Sequence, residues 1–261
     1  MKLLRSLAVY VYVILKVVRG TFYFKKLEAS KEALGGDAVV AQKVQDYGHH
    51  MAETIMKLYG GTFIIKGAEH LPKEGNVLYV ANHQSYMDIP TVMAVLERPL
   101  GFVLKDGLAK IPFFSKWVVQ MQCVPIVRGE ARKALEAILT AAKILKTGHG
   151  MVLFPEGTRS KDGTLLSFKA GSLKSAQRGN AMIVPMAIDG ACDAMPRGSF
   201  IIAPKTITVT VFPPIPVETV KEMDTMDLAL LVRNQIAGAL GQETISREKA
   251  EQQEKEDAQN G

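Results

Sequence analysis

Short apolar segments alternate with helical patterns through most of this chain, and this alternation is the feature that most constrains its fold. The predicted strands are Thr62–Lys66, Asn76–Asn82, Gly101–Leu104, Cys123–Val127, Met151–Phe154, Met182–Ile188 and Thr206–Phe212. The predicted helices between them are Asp88–Leu96, Phe113–Gln120, Ala131–Lys146 and Ser172–Gln177. Strands that alternate with helices predict an α/β fold with a mostly parallel central sheet flanked by helices.

Composition divides the chain into three parts. We expect residues 1–60 to form a two-helix membrane-anchoring segment and residues 61–241 to form the α/β domain. The helical pattern of Met223–Leu240 predicts the last helix of that domain. Residues 242–261 are rich in Glu, Lys and Gln and have few apolar side chains, so we expect a disordered charged tail.

The amino-terminal stretch MKLLRSLAVYVYVILKVVRGTFYF is strongly apolar and admits several interpretations. A signal peptide is disfavoured because Arg5 and Lys16 interrupt the apolar run. A membrane-spanning helix is marginal because Leu3–Val18 is shorter than the about 20 residues that cross a bilayer. The charge pattern favours an interfacial helix with Lys2, Arg5, Lys16 and Arg19 at anionic headgroups, although a helix that packs on the body of the protein stays open.

The net charge of +6 and the isoelectric point near 9.2 favour an anionic partner. Nucleic acid is the least favoured, because the chain has no basic run interleaved with stacking rings and no recognition-helix or zinc-finger spacing. A phospholipid surface and an acidic carrier protein remain. Cys123 and Cys192 are far apart in the sequence and indicate reduced core residues rather than a disulfide.

The segment Val80–Asp88, with the sequence VANHQSYMD, places an imidazole and a carboxylate on either side of a predicted strand-to-helix turn. Asp88 can fold back across such a turn and hold one ring nitrogen of His83. The other nitrogen is then free to accept a proton from a substrate hydroxyl. The alternative is structural: His83 would cap the turn and Asp88 the helix.

The segment Phe154–Ser160, with the sequence FPEGTRS, is a second candidate for function. Gly157 permits a tight turn that directs backbone amides, the Thr158 hydroxyl and the Arg159 guanidinium toward an oxyanion or a phosphate. Glu156 is expected either to pair with Arg159 or to accept a hydrogen bond from a substrate hydroxyl.

Two further cations follow predicted strands: Lys105 and Arg128. In a parallel sheet, they would emerge at the same carboxyl edge as His83 and residues 156–159. Ligands bind at that edge in open α/β sheets.

The ordered segments NHQSYMD, CVPIVR, FPEGTRS and IVPMAI resemble the four sequence blocks of the glycerolipid acyltransferase family, and the resemblance runs from about Gly67 to Phe212. It implies transfer of a fatty acyl group from acyl-CoA or acyl-carrier protein to the sn-2 hydroxyl of lysophosphatidic acid, which gives phosphatidic acid in phospholipid biosynthesis. A two-helix amino-terminal anchor also agrees with bacterial members of the family.

The resemblance also implies residue roles. His83 would be the general base and Asp88 its orienting partner, Asn82 or a nearby backbone amide would stabilise the oxyanion, and Pro185 would shape the acyl-binding region. The residues expected to bind the acceptor and its phosphate are Lys105, Arg128, Glu156, Gly157, Thr158 and Arg159.

Attack of an alcohol on an activated thioester requires no metal and no cofactor, so none is expected. The expected location is the cytoplasmic face of the inner membrane, as a monotopic or peripheral protein. Two alternatives stay open: an acyltransferase for another acceptor, such as an ornithine lipid or another lysophospholipid, and a non-catalytic membrane-surface module. A serine hydrolase is disfavoured because the chain has no G-x-S-x-G elbow.

Overall fold

The computed structural model describes residues 1–127 and 129–259. The helices within these residues, which also include three short 3-10 turns, are α1 Lys2–Ala29, α2 Lys31–Leu34, α3 Asp37–Tyr59, α4 Asp88–Val95, α5 Phe114–Gln120, α6 Ala131–Leu145, α7 Lys174–Gly179, α8 Ala191–Ala194, α9 Val217–Glu222, α10 Thr225–Ala239 and α11 Arg247–Gln259.

The strands of the described residues form a single seven-stranded sheet of order β1-β7-β6-β2-β5-β3-β4. They are β1 Thr62–Lys66, β2 Val77–Ala81, β3 Leu100–Lys105, β4 Val124–Ile126, β5 Gly150–Leu153, β6 Met182–Asp189 and β7 Thr206–Val211. The antiparallel pair is β6 with β7, and the other neighbours are parallel. The predicted mostly parallel α/β fold is therefore confirmed, with strand ends within one or two residues of the prediction.

The two faces of the sheet belong to different cores. Val77 and Tyr79 of β2 point into the core beneath α1, α3 and α4, whereas Leu78 and Val80 point into the core beneath α6, α7 and α10. This alternation follows from the two-residue repeat of a strand. Both faces of β2 are fully buried, so its carboxyl end is held rigidly at the centre of the sheet.

Helix α1 packs along one side on the rest of the protein. Its Phe24 ring packs edge-on against Trp117 of α5, with a centroid distance of 4.8 Å, and Tyr47 of α3 joins the same aromatic cluster. The indole N–H of Trp117 donates to the Val17 carbonyl at 3.0 Å. A side chain at Gly20 would collide with the Trp117 ring, so the small residue allows α1 and α5 to approach closely.

The opposite side of α1 is apolar and exposed, which reverses the usual arrangement of a surface helix. Its exposed large side chains are Leu3, Leu4, Leu7, Val11, Ile14, Leu15 and Phe22. Within the described residues, α1 is also the one helix long and apolar enough to cross a membrane. Its other side is covered from Ser6 to Leu27, as expected for a helix that lies on the protein.

The expected disordered tail is wrong for residues up to Gln253. The side-chain amide of Asn234 in α10 brackets the backbone of Ile245 with two hydrogen bonds of 3.0 Å. Arg247 at the start of α11 pairs with Asp227 at 2.7 Å and with Glu251 at 2.9 Å. The low apolar content concealed this packing, because the segment is held by polar side chains and by the burial of Ile245.

Candidate active site

His83 lies in the turn between β2 and α4, and Asp88 is the first residue of α4. The His83 Nδ1 lies 2.6 Å from the Asp88 Oδ2. The same carboxylate oxygen accepts the backbone N–H groups of Gln84 at 2.7 Å and Ser85 at 2.8 Å. Asp88 is fully buried, whereas the His83 side chain is 19% exposed. The turn thus fixes the carboxylate, and the carboxylate orients the ring, which leaves Nε2 for a substrate.

The His83 ring is also stacked on the ring of Phe154, with centroids 4.3 Å apart and planes 21° apart. Phe154 immediately follows β5, the strand beside β2. The stacked aromatic ring helps to hold the plane of the imidazole in place. Phe154 was predicted only as the end of a strand, and no local sequence pattern indicates its contact with His83.

Glu156 binds the backbone and does not face a substrate. Its Oε1 accepts the N–H of His83 at 2.5 Å and its Oε2 accepts the N–H of Leu166 at 3.0 Å. Burial raises the pKa of the carboxyl group to about 8, although these two N–H donors act in the opposite direction.

The structure therefore corrects both expectations for Glu156. Within the described residues it forms no ion pair with Arg159, and both its oxygens already have partners. The N–H of Ser160 completes the connection by donating to the His83 carbonyl at 2.8 Å. The FPEGTRS segment thus holds the backbone of His83 on both sides.

The turn after Glu156 offers free donors. Gly157 has φ +68°, a conformation that glycine adopts without strain. Within the described part of the chain, the backbone N–H groups of Thr158 and Arg159 have no hydrogen-bond partner. The Arg159 guanidinium lies 3.7 Å from the centroid of the Tyr86 ring and, among the described residues, pairs with no carboxylate. A stacked but unpaired guanidinium beside free amides is suited to bind a phosphate.

Two further cations were predicted to bind the substrate, Lys105 and Arg128, and only Lys105 lies within the described residues. Lys105 is exposed at the carboxyl end of β3, which β5 separates from β2. Two strand spacings amount to roughly 10 Å, so Lys105 shares the sheet edge with His83 without touching it. Arg128 lies outside the described residues.

Asn82 does not support its expected oxyanion role. Its side-chain amide donates to the Ile188 carbonyl at 2.8 Å and accepts the Ile188 N–H at 2.7 Å. The residue is 1% exposed and ties the end of β2 to β6. Its amide is therefore used by the sheet, which the sequence alone could not reveal because the two residues are 106 positions apart.

A residue near the carboxyl terminus, Gln242, also supports the site. The Gln242 side chain accepts the N–H of Leu165 at 2.7 Å and donates to the carbonyl of Gly163 at 3.0 Å. This clamp fixes the loop whose next residue, Leu166, donates to Glu156. Gln242 falls in the predicted disordered tail, so its contacts with residues 163 and 165 were not predicted.

An apolar cavity of about 320 Å³ opens at the same edge of the sheet. The ends of β3, β4 and β5 form its floor through Val103, Ile126 and Leu153, and α6 forms a wall. Lys169 borders it, and a side chain at Gly157 would contact that lysine. The cavity thus adjoins the turn that contains Gly157.

Together these groups place an oriented imidazole, a turn with free N–H groups and an unpaired guanidinium, and an apolar cavity at one sheet edge. Among the described residues, no group of three or more His, Cys, Asp or Glu side chains is placed to hold a metal ion. The arrangement suits proton removal from a hydroxyl of an anionic, partly apolar substrate.

Known proteins resemble this chain in sequence and in fold. Residues 62–189 match the model of a family described as Acyltransferase. The chain is 38% identical over 136 residues to the chloroplastic 1-acyl-sn-glycerol-3-phosphate acyltransferase LPAT1 of Arabidopsis thaliana, an alignment that covers 52% of this chain and 38% of that protein. It is 29% identical over 188 residues to the 1-acyl-sn-glycerol-3-phosphate acyltransferase of Borreliella burgdorferi, which covers 72% of this chain and 74% of that protein.

A solved structure extends the comparison to nearly the whole chain. The crystal structure of the 1-acyl-sn-glycerophosphate (LPA) acyltransferase PlsC from Thermotoga maritima superposes with a TM-score of 0.77 at 25% identity. The match covers 92% of this chain and 96% of that one, whereas the chain spans only 38–39% of the chloroplast relatives. The family match, the relatives and the shared fold agree, and residues 62–189 of the chain belong to the acyltransferase family.

Proposed function

We propose that this protein transfers a fatty acyl group from a thioester to the sn-2 hydroxyl of lysophosphatidic acid, giving phosphatidic acid. The observation that carries the proposal is the His83–Asp88 pair, with its 2.6 Å contact, at the same sheet edge as the unpaired guanidinium of Arg159. The names of the relatives support the same acceptor.

The proposed chemistry uses His83 as a general base. Its Nε2 takes the proton of the acceptor hydroxyl while the hydroxyl oxygen bonds to the thioester carbonyl carbon. The tetrahedral intermediate then collapses, the carbon–sulfur bond breaks, and the imidazolium returns the proton to the departing thiolate. Buried Asp88 stabilises the imidazolium between the two steps.

The acceptor phosphate would bind to the guanidinium of Arg159 and the free N–H groups of Thr158 and Arg159. Lys105 and, from the sequence pattern, Arg128 would add positive charge to the same edge. Glu156 and Gly157 would support this site by shaping the turn. A dianionic phosphomonoester uses such a set of donors better than a neutral or zwitterionic head group does.

The apolar cavity beside this turn would hold an acyl chain of one substrate. Its lining is aliphatic and aromatic where β3, β5 and α6 meet, and polar only at the rim near Lys169. A chain in the cavity would leave its ester or thioester end near the turn that follows β5.

The proposed location is the surface of an anionic phospholipid membrane, on the cytoplasmic face of the inner membrane. Helix α1 would lie in the interface, because one side packs on α3 and α5 along most of its length and the other side is apolar and exposed. A helix covered in this way cannot span a bilayer without drawing the α/β domain into it. Both cysteines are free, in keeping with a reducing compartment.

The test is an activity assay on the purified chain in detergent, with lysophosphatidic acid and either acyl-CoA or acyl-carrier protein as donor. We expect phosphatidic acid from the wild type and almost none from His83→Ala. His50→Ala is the matched control, because the His50 side chain is 68% exposed and lies on α3. The donor that supports turnover identifies the thioester.

A second candidate is acyl transfer to another lipid acceptor, such as an ornithine lipid or another lysophospholipid. That activity would require His83 and Asp88 but would not depend on Arg159. Turnover of such an acceptor, with none of lysophosphatidic acid, would therefore retain the proposed base and replace the proposed acceptor.

A further inference from the structure

The loop of residues 196–201, between α8 and β7, reaches both the candidate active site and the exposed side of α1. We infer that this loop is a second membrane contact, in addition to α1, and that it couples bilayer binding to the position of Arg159. The inference rests on the proposed function, in which Arg159 binds the acceptor phosphate.

Both ends of the 196–201 loop are fixed. The hydroxyl of Ser85, in the turn that carries His83, donates to the Met195 carbonyl at 2.7 Å. At the other end, the N–H of Ile202 donates to the hydroxyl of Ser6 in α1 at 2.8 Å. The loop therefore links the catalytic turn to α1 as a defined structure.

The side chains at the tip of the loop are apolar and unusually exposed. Phe200 is 70% exposed and Ile201 is 40% exposed. The Tyr10 hydroxyl of α1 donates to the Phe200 carbonyl at 2.9 Å, which fixes the loop beside the helix. Tyr10 is half-buried, and Leu7, three residues before it on α1, is exposed. The loop tip therefore lies beside the exposed apolar side of α1, and the two together form the proposed contact surface.

A phospholipid bilayer is the occupant that fits this surface. The exposed large apolar side chains of α1 run from Leu3 to Phe22, and Lys2 and Arg19 lie near the two ends of this run, as expected for a face at anionic headgroups. Large exposed apolar areas with basic flanks are typical of membrane contact sites.

The same loop reaches the phosphate site. Arg197, three residues before Phe200, donates from Nη1 to the carbonyl of Arg159 at 2.7 Å. Arg159 in turn lies over the Tyr86 ring. Insertion of the loop tip into the bilayer would thus hold the Arg159 turn at the depth of the headgroups, where the phosphate of a lysolipid acceptor is found.

The first experiment compares two forms of the acceptor. Phe200→Ser/Ile201→Ser is assayed with lysophosphatidic acid embedded in phosphatidylglycerol vesicles and with a short-chain lysophosphatidic acid that is monomeric in water. We expect a kcat/KM at least about tenfold lower on the vesicle acceptor, the lower bound for losing the insertion of a phenylalanine side chain, and an unchanged value on the monomeric one.

The matched control is Leu135→Ser on α6, which is 46% exposed and packs on the opposite face of the sheet. It should leave both values unchanged. Arg197→Ala should raise the KM for both forms of the acceptor with little change in kcat, because it acts through the position of Arg159. A fall in kcat alone for Arg197→Ala would refute that coupling.

The second experiment measures contact directly. Phe200→Trp is titrated with vesicles of brominated lipid, and we expect added fluorescence quenching over the wild type, whose Trp117 is 2% exposed. No added quenching, with full activity of the double variant on vesicles, would overturn the membrane contact. Added quenching in a protein that turns over no lysophosphatidic acid would support the contact and refute the proposed activity.

Discussion

Glu156 provides the most informative single substitution, because its carboxyl group is buried and holds the backbone of His83. Burial raises its pKa from 4.5 to about 8 in the folded protein. The folded state therefore retains a proton that the unfolded state has lost between these pH values, and the stability that this proton provides is lost as the pH rises to 8. At 1.36 kcal/mol for each pKa unit, the loss amounts to about 5 kcal/mol.

The variant Glu156→Gln cannot titrate, so its stability should not show this fall. Its amide nitrogen would face either the His83 N–H or the Leu166 N–H, and the unsatisfied donor costs about 1–3 kcal/mol at every pH. We expect the variant to be less stable than the wild type near pH 5 and more stable by about 2–4 kcal/mol above pH 8. Activity should fall by about 10² at all pH values, because the turn that positions His83 loses a contact.

The assay is thermal unfolding of both proteins in detergent from pH 4.5 to 9, where each kcal/mol corresponds to about 2–4 °C for a chain of this size. Glu218→Gln, at an exposed position, is the matched control and should follow the wild type. Parallel curves for Glu156→Gln and the wild type would refute the reasoning, since they would show that the backbone donors outweigh burial.

Three further substitutions test the support of His83. Asp88→Ala should lower kcat by about 10² or more, because an unoriented imidazole is a poor general base, and undiminished kcat in a steady-state assay would contradict the proposed pair. Phe154→Leu keeps an apolar contact but removes the stacking, so a two- to tenfold fall in kcat is expected, about 0.5–1.5 kcal/mol. Gln242→Ala should lower the melting temperature by about 2–8 °C and speed proteolysis of the 160–166 loop, while an unchanged cleavage rate would refute the clamp.

The sheet and the contact between His83 and Asp88 were predictable from local sequence. Each strand carries its own apolar pattern, and His83 and Asp88 are close enough in the chain for one turn to join them. The position of His83, Lys105 and residues 156–159 at one edge of the sheet followed from parallel pairing alone, since parallel strands end on the same side.

The supporting contacts were not predictable, because their partners are far apart in the chain. The N–H of His83 donates to Glu156, which is 73 positions away in the chain, and the N–H of Leu165 donates to Gln242, which is 77 positions away. No periodicity or local spacing encodes such pairs. The backbone partners of Asn82 and Glu156 were not predictable for the same reason, because Ile188 and His83 are distant from them in the chain.

The pairing of β1 with β7 has a consequence for the order in which the chain folds in the cell. Thr62 pairs in register with Thr206, so the β1 edge of the sheet cannot form until β7 has left the ribosome. Contacts of such large sequence separation form late. Helices α1 and α3 emerge well before that point, and α1 carries its apolar side uncovered. A nascent chain would thus have its proposed membrane-binding face available throughout synthesis of the α/β domain, and the bilayer would serve as a folding partner before it supplied the proposed acceptor.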